Sequence, residues 1–529
     1  MEFYVMFIDF FLALLPIFWL ILSLSKFKMA SSKACSIALM ITAVLAASYW
    51  KLTPPLIVAA ALEGILNALW PICLTVAAAL FTYNLTIKTG AMELIKKMLM
   101  GISHDERVLL LIIGWGFGNF MEGMAGFGTA VAIPASILAG IGLNPIAAVT
   151  ACLVMNTTAT AFGSVGVPTA TLAAITGLDL QQLATQAALI QGVHTFISPF
   201  LAVVICGGGL KALKGVWHIT LVASVSFVIP YLLFAQLLGP ELPAIIGSIC
   251  SMFCIILAVK LSEKNDKKAL SSKTDGETDR SIDTSGAQEV PAPIHFAEGI
   301  RAWAPFILIF AFLVLTSKVC PPIHNAIKDI KHSFLIYTGA RGKPLTFSWI
   351  NTPGVLIGIA AICGGIIQNA SYSEIASTLG FTFKKYWKTF FTICAIIATA
   401  KVMIYSGMIS DIARTIVVVA GPVYPFVAPL IGVLGAFITG SGTSTNVLFG
   451  NLQMETALSL NLNPYWITAA NVMGAGIGKM VCPQNIAIGV GAVGIPGSDS
   501  KILAAVFKYF IFYALLAGAM SFAGSLIGI

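Results

Sequence analysis

The sequence is short of charge. Asp, Glu, Lys and Arg make up 10% of 529 residues, against 58% hydrophobic, where soluble domains carry about 25% charged residues. That shortage excludes a soluble domain and predicts an integral membrane protein with helical spans. The formal net charge of +8 is not a nucleic-acid signature, because the basic residues lie in short loops between apolar runs. Cysteine supplies no framework either. The ten cysteines are scattered singly, and Cys250 and Cys254, spaced i,i+4, have no His or carboxylate beside them, so neither a disulfide set nor a metal site is expected. There is no HExxH, no GxSxG elbow and no Walker P-loop, which argues against an intramembrane enzyme, an ATP-driven pump or a cofactor. The N-terminus places Glu2 and Asp9 around an apolar run, without a basic n-region or an A-x-A site, and reads as a first span rather than a signal peptide.

What the sequence does have is a long motif that occurs twice. Gly114 to Pro168 reads GWGFGNFMEGMAGFGTAVAIPASILAGIGLNPIAAVTACLVMNTTATAFGSVGVP, and Gly432 to Asn485 repeats its grammar. Phe120 aligns with Phe437, Gly123 with Gly440, Asn144-Pro145 with Asn463-Pro464, and Val154-Met155 with Val472-Met473. Each copy has a half-length apolar segment, a Gly/Ser/Thr-rich apex, a second half-length segment, Asn-Pro, and a hydrophobic segment broken by Gly, Asn or Pro. Interrupted hydrophobic segments at matching places in two halves point to the binding site of a secondary transporter.

The expected fold is an all-α polytopic membrane protein with about twelve transmembrane helices plus two hairpins. The first membrane half is 1–260, with a hairpin at about 107–142 and a broken helix at about 145–176. A charged, Ser/Gly/Pro-containing linker follows at 261–299. The second half is 300–529, with a hairpin at about 425–461 and a broken helix at about 464–495. Each arm of the first hairpin holds some 16 residues, about 24 Å of helix against a hydrocarbon core of about 30 Å, which suits a re-entrant loop. Other spans are expected at about 4–24, 34–50, 55–83, 183–206, 216–239, 243–260, 301–317, 353–369, 389–410 and 503–528, with a short amphipathic helix at 91–100. Placing the Lys/Arg-rich loops inside puts both termini outside and the linker in the cytoplasm. The first hairpin then enters from the cytoplasm and the second from outside, so the repeats are inverted.

An apex within the membrane must have its N–H groups satisfied by protein, water or ligand, and the starts of the outgoing arms favour an anion. On this ground Gly126, Phe127, Gly128 and Thr129 at the first apex are candidate substrate contacts, as are Ser441, Gly442, Thr443, Ser444, Thr445 and Asn446 at the second. The breaks are expected at Asn156–Thr160, offering Asn156, Thr157 and Thr158, and at Gly474–Lys479. Small residues at these places also serve close helix packing. Ionisable residues deep in spans are costly and mark function. Lys401, expected near midplane, and Lys479 are candidates for a substrate carboxylate, or else partners of Glu63 or Glu122 in internal pairs. Glu122 is the first candidate for a proton-carrying group, with His194 and Glu63 behind it. Asp411 and Arg414 read as an exterior loop pair.

The first motif, GWGFGNFMEGMAGFGTAVAIPASILAGIGLNP with its MNTTATAFGSVGVPT break, resembles the bacterial L-lactate permease family, which includes glycolate permeases. The resemblance extends to GSGTSTNVLFGNLQ (Gly440–Gln453) and the last span. It implies proton-coupled uptake of L-lactate, and in some members D-lactate or glycolate, across the bacterial cytoplasmic membrane. The hairpin pattern is also similar to that of elevator-type carboxylate transporters, a likeness of fold alone. Beside this stand a transporter of a dicarboxylate or another carboxylate, Na⁺-coupled or not, and a passive anion channel. The bilayer, a 2-hydroxy acid and a proton are the expected partners, and a homodimer is left open.

Overall fold

A chain this apolar has to close its backbone hydrogen bonds on itself, and it does so almost entirely with helices. The computed structural model describes residues 2–25, 27, 29–126, 128–271, 295–317, 320–339, 342 and 344–528. Among the described residues nine helices are long and apolar enough to cross a membrane, and four shorter apolar helices accompany them. The linker falls for the most part, at 272–294, outside the described residues. Among the described residues the one sheet is an antiparallel pair of short strands, Lys331–Phe334 with Leu345–Ser348, in the insert after Phe296–Thr316.

Several boundaries follow directly from local chemistry. The amphipathic segment is the helix Ala91–Met100, which buries Met92, Ile95 and Leu99. Asn144 and Asn463 each cap the N-terminus of the helix that their Pro opens, accepting bonds from the second and third N–H groups. The expected span 389–410 is a 35-residue helix, Tyr372–Ser406, started by a Ser371/Glu374 capping box and uninterrupted by proline. Its basic stretch, Lys384 to Lys388, is helical, and Lys385 and Lys388 lie over the rings of Phe381, Tyr386 and Trp387. Lys401 sits in the last two turns of this helix. Asp411 and Arg414 are on a further helix, Met408–Ala420, where Asp411 accepts a bond from Trp50 Nε1 at 2.9 Å.

Both motif copies fold as helix–turn–helix followed by an interrupted helix. The first runs through Gly118–Met124, the turn, Thr129–Gly140, Pro145–Ala159 and Gly163–Thr176. The second runs Tyr424–Thr439, Gly442–Ser459, Pro464–Lys479 and Pro483–Val493. The two copies exchange partners. Thr129–Gly140 packs on Pro483–Val493, and Gly442–Ser459 packs on Gly163–Thr176. Phe120, Phe162, Phe227, Tyr231 and Tyr513 belong to the larger buried core around these elements, while Ile57, Ile396, Val402 and Met403 belong to a second core centred on Pro54–Asn67 and Tyr372–Ser406. The exchange brings both turns and both interruptions together between the two cores.

Candidate functional site

The first turn is shaped by glycine. Gly126 and Gly128 have φ of 62° and 83°, a region that other residues enter only at a cost. Ser164, from the interruption of the same copy, donates to the Ala125 carbonyl at 2.8 Å and fixes turn against break. That interruption lies later than expected. Residues 156–159 remain helical, with Thr157 and Thr158 bonding back to the Val154 and Met155 carbonyls. The chain leaves α geometry after Ala159, and Ser164, Val165 and Gly166 adopt φ of 45°, 56° and 78°. A β-branched Val at positive φ is backbone strain of the kind found at functional sites.

The second turn places the start of Gly442–Ser459 against the cavity. Ser441 caps this helix by accepting from the Ser444 N–H at 3.2 Å, and Thr439 Oγ1 accepts from the Ser441 N–H at 3.2 Å. Gly442 and Thr443 carry the first-turn N–H groups that an α-helix cannot satisfy internally. The first turn is less generous: the Gly126 and Thr129 N–H groups bond to the carbonyls of Met121 and Gly126, and the Thr129 hydroxyl bonds to the Gly126 carbonyl at 2.7 Å. The second interruption is also later than expected, at 480–482. The glycines before it are packing devices, since a side chain at Gly474, Gly476 or Gly478 would strike the carbonyl of Pro429, Thr157 or Val433. Asn485 Nδ2 then donates to the Lys479 carbonyl, freed by the break, at 3.2 Å.

A cavity of about 210 Å³ lies where these pieces meet. It is lined by Gly126, Gly128, Thr160, Gly163, Ser164, Thr439, Ser441–Ser444, Gln484 and Asn485 on the motif side. Leu20, Cys35, Val76, Thr389, Thr392, Ile393 and Ile396 form the opposite wall. Such a chamber suits a small polar molecule rather than a drug-sized one. Its charged lining residues are Glu122 and Lys479. Lys479 Nζ donates to Glu122 Oε1 at 2.7 Å, and Asn156 Nδ2 donates to Glu122 Oε2 at 3.0 Å. Gly163 packs against that carboxylate, leaving no room for a side chain between them.

The remaining expected residues lie elsewhere. Thr445 bonds to the Ser441 carbonyl, and Asn446 ties the second copy to the first by donating to the Pro168 carbonyl at 3.0 Å. Phe127 lies outside the described residues. Lys401 and Glu63 form an ion pair of 2.9 Å in the second core, joined by Tyr405 OH, which donates to Glu63 Oε1 at 2.6 Å. His194 Nε2 bonds the Tyr513 carbonyl at 3.1 Å, away from the cavity. Both lysines are thus internally paired, and only Lys479 also faces the cavity. The sequence reading missed Ser164, Thr439, Gln484 and Asn485. The signal for the last two was Pro483, which forbids the helix before it from continuing unbroken.

Comparison with known proteins gives the family. The family model described as L-lactate permease matches residues 9–527. The chain is 44% identical over 458 residues to an L-lactate permease of Streptococcus iniae, covering 87% of this chain and 93% of the relative. It is 30% identical over 531 residues to the L-lactate permease of Escherichia coli, with 96% and 94% covered. It is 30% identical over 535 residues to the glycolate permease GlcA of the same organism, again with 96% and 94% covered. Among solved structures, MtrF of Neisseria gonorrhoeae is similar with a TM-score of 0.52 and 13% identity over 96% of this chain and 97% of that one, a likeness of fold alone. A match over nearly the whole length, running through both turns and both interruptions, places the chain in the L-lactate permease family.

Proposed function

We propose that the protein takes up L-lactate and related 2-hydroxymonocarboxylates, D-lactate and glycolate among them, across the bacterial cytoplasmic membrane by proton symport. The observation that carries this reading is the convergence of two turns and two helix interruptions, one of each from either half, on a single cavity holding one buried acid and one buried base. The names of the relatives supply lactate and glycolate. The carboxylate is held by the Gly442 and Thr443 N–H groups, by hydroxyls of Ser441 to Ser444 and by Lys479. Oriented donors at a helix start offset the desolvation of an anion without leaving a full charge behind in the empty site. Asn485, Thr160 and Ser164 are the groups available to read the 2-hydroxyl. A single lysine in the lining favours a monocarboxylate over a dicarboxylate.

Two halves, 1–260 and 300–529, joined by the cytoplasmic linker 261–299, carry hairpins that enter from opposite faces. The Lys/Arg distribution and the partner exchange between the copies support this inverted arrangement. The wall facing the motif residues comes from other helices, Glu2–Ser25, Ser31–Ser48, Leu74–Lys88 and Tyr372–Ser406, and movement of the motif elements against it would expose the site to either side, as in elevator-type carriers. Glu122 is the proton carrier; His194 is held on a carbonyl and Glu63 in its own pair, both away from the cavity. Vesicles reconstituted with the protein should concentrate labelled L-lactate under an inward proton gradient, and an uncoupler should abolish this. Equilibration without accumulation would mean a passive anion channel, and accumulation driven by Na⁺ would refute proton symport.

A further inference from the structure

The Glu122–Lys479 pair has a consequence for stoichiometry, which rests on reading this cavity as the monocarboxylate site. With the pair closed, the two charged groups that line the cavity sum to zero. A monocarboxylate that enters alone adds an uncompensated negative charge to a site where Glu122 is 3% exposed and Lys479 8%. Charge in such surroundings is strongly disfavoured unless paired. It also competes with Glu122 for the same ammonium group. One proton resolves both conflicts. We infer that Glu122 and Lys479 act as an exchange switch: a proton taken from water by the Glu122 carboxylate releases Lys479 to one substrate carboxylate, so that one proton moves with each monocarboxylate and no net charge crosses the membrane.

The balance is simple. Hydronium gives its proton to a Glu122 oxygen and leaves as water, while the Lys479–Glu122 bond is replaced by a Lys479–substrate bond. Nothing is oxidised or reduced. Asn156, now donating to Oε2, can turn its amide and accept from the new O–H, since an amide offers both functions. Among the described residues a further acid, Glu241, lies on the turn whose Pro240 meets Gly166 of the first interruption, and it does not line the cavity. Against the Glu122 helix pack Thr129–Gly140, Pro145–Ala159, Gly163–Thr176 and Pro243–Ser271. The first and third hold no titratable side chain, the second holds Cys152, and the apolar part of the fourth holds Cys250, Cys254 and, near its far end, Lys260. Cys35 lines the far wall, and Cys482 sits beside Gly440. The second pair, Glu63–Lys401, is joined by Tyr405 in its own core, away from the cavity. The empty carrier returns with its pair closed and needs no proton, whereas a carrier holding substrate without a proton is blocked.

The test uses the wild-type protein in vesicles loaded with potassium and treated with valinomycin. A potassium diffusion potential of either sign, at equal pH on both sides, should neither drive nor alter lactate accumulation. An acid exterior at zero potential should drive it, with one proton entering per lactate by a pH-sensitive dye. Accumulation driven by potential alone, or two protons per lactate, would overturn the switch. Counterflow of labelled lactate without any ion gradient separates the two levels of the argument. Counterflow together with potential-driven accumulation sinks the stoichiometry alone, and absent counterflow sinks the substrate reading along with it. In Glu122→Gln, gradient-driven accumulation should vanish and any remaining exchange should lose its pH dependence; a retained pH profile would place the proton elsewhere.

Discussion

Replacing Lys479 by Met measures what the buried pair is worth. The lysine and its carboxylate partner have side-chain exposures of 9% and 4% and lie 2.7 Å apart. Lys479→Met removes the cation and leaves Glu122 with the amide of Asn156 as its remaining donor. Breaking a buried pair from one side costs about 3–5 kcal/mol, because the abandoned charge stays desolvated. Glu122→Gln/Lys479→Met removes both charges and should return to within about 1 kcal/mol of wild type, since an uncharged pair of similar volume needs no compensation. The coupling between the two positions should therefore reach at least about 2 kcal/mol, well beyond the additivity of independent sites. Denaturant unfolding of the purified protein in detergent, followed by tryptophan fluorescence, gives the four corners of the cycle. If the double variant loses the sum of the two single losses, the groups are not paired in the folded protein, and both the site and its coupling scheme lose their basis.

Other consequences are quicker to check. Gly442→Val should abolish lactate binding, because its Cβ would come within 3.0 Å of Thr160 at the helix start. Gly491→Ala, with open space around it, should bind normally. An impermeant maleimide should label Ser272→Cys only after the cells are permeabilised; labelling of sealed cells would reverse the orientation. Outside the long apolar helices, hydrogen bonds from Arg107 hold the Asp105 carboxyl under its usual range. A depressed carboxylate stabilises the fold at neutral pH, and this contribution fades as pH falls through its folded pKa. Asp105→Asn should therefore be less stable at pH 7 and flatten the acid limb of the stability profile. It should also loosen the 207–216 turn, whose Ala212 and Lys214 carbonyls Arg107 holds.

Much of this was readable from the sequence because membrane folding leaves few choices. Asn-Pro announced both interrupted helices, the glycine-rich turns announced both apices, and each buried lysine found a buried acid. Four kinds of feature were not readable. The break at Ser164 and Val165 is flanked by Gly163, Gly166 and Pro168, yet the polar run Asn156–Thr160 drew the expectation upstream. The glycines from 474 to 478 look like a break but are sites of backbone contact with neighbouring helices. Hydropathy could not tell that the Tyr372–Ser406 helix begins at its capping box rather than at its apolar stretch. Gly518 in the last span would read as a harmless place for bulk, yet its Cβ would meet the Phe426 ring at 2.8 Å. The glycine contacts depend on what another segment places alongside, which no local pattern records, whereas the Ser371-x-x-Glu374 capping box is a local signature that hydropathy passes over.

The most direct measurement is an experimental structure of the protein determined with L-lactate at saturating concentration and acid pH. The account predicts lactate in the cavity between the two turns, its carboxylate against the Gly442 and Thr443 N–H groups and Lys479, with Lys479 Nζ drawn away from Glu122. Lactate bound elsewhere, or bound there with the 2.7 Å Lys479–Glu122 contact unchanged, would contradict it.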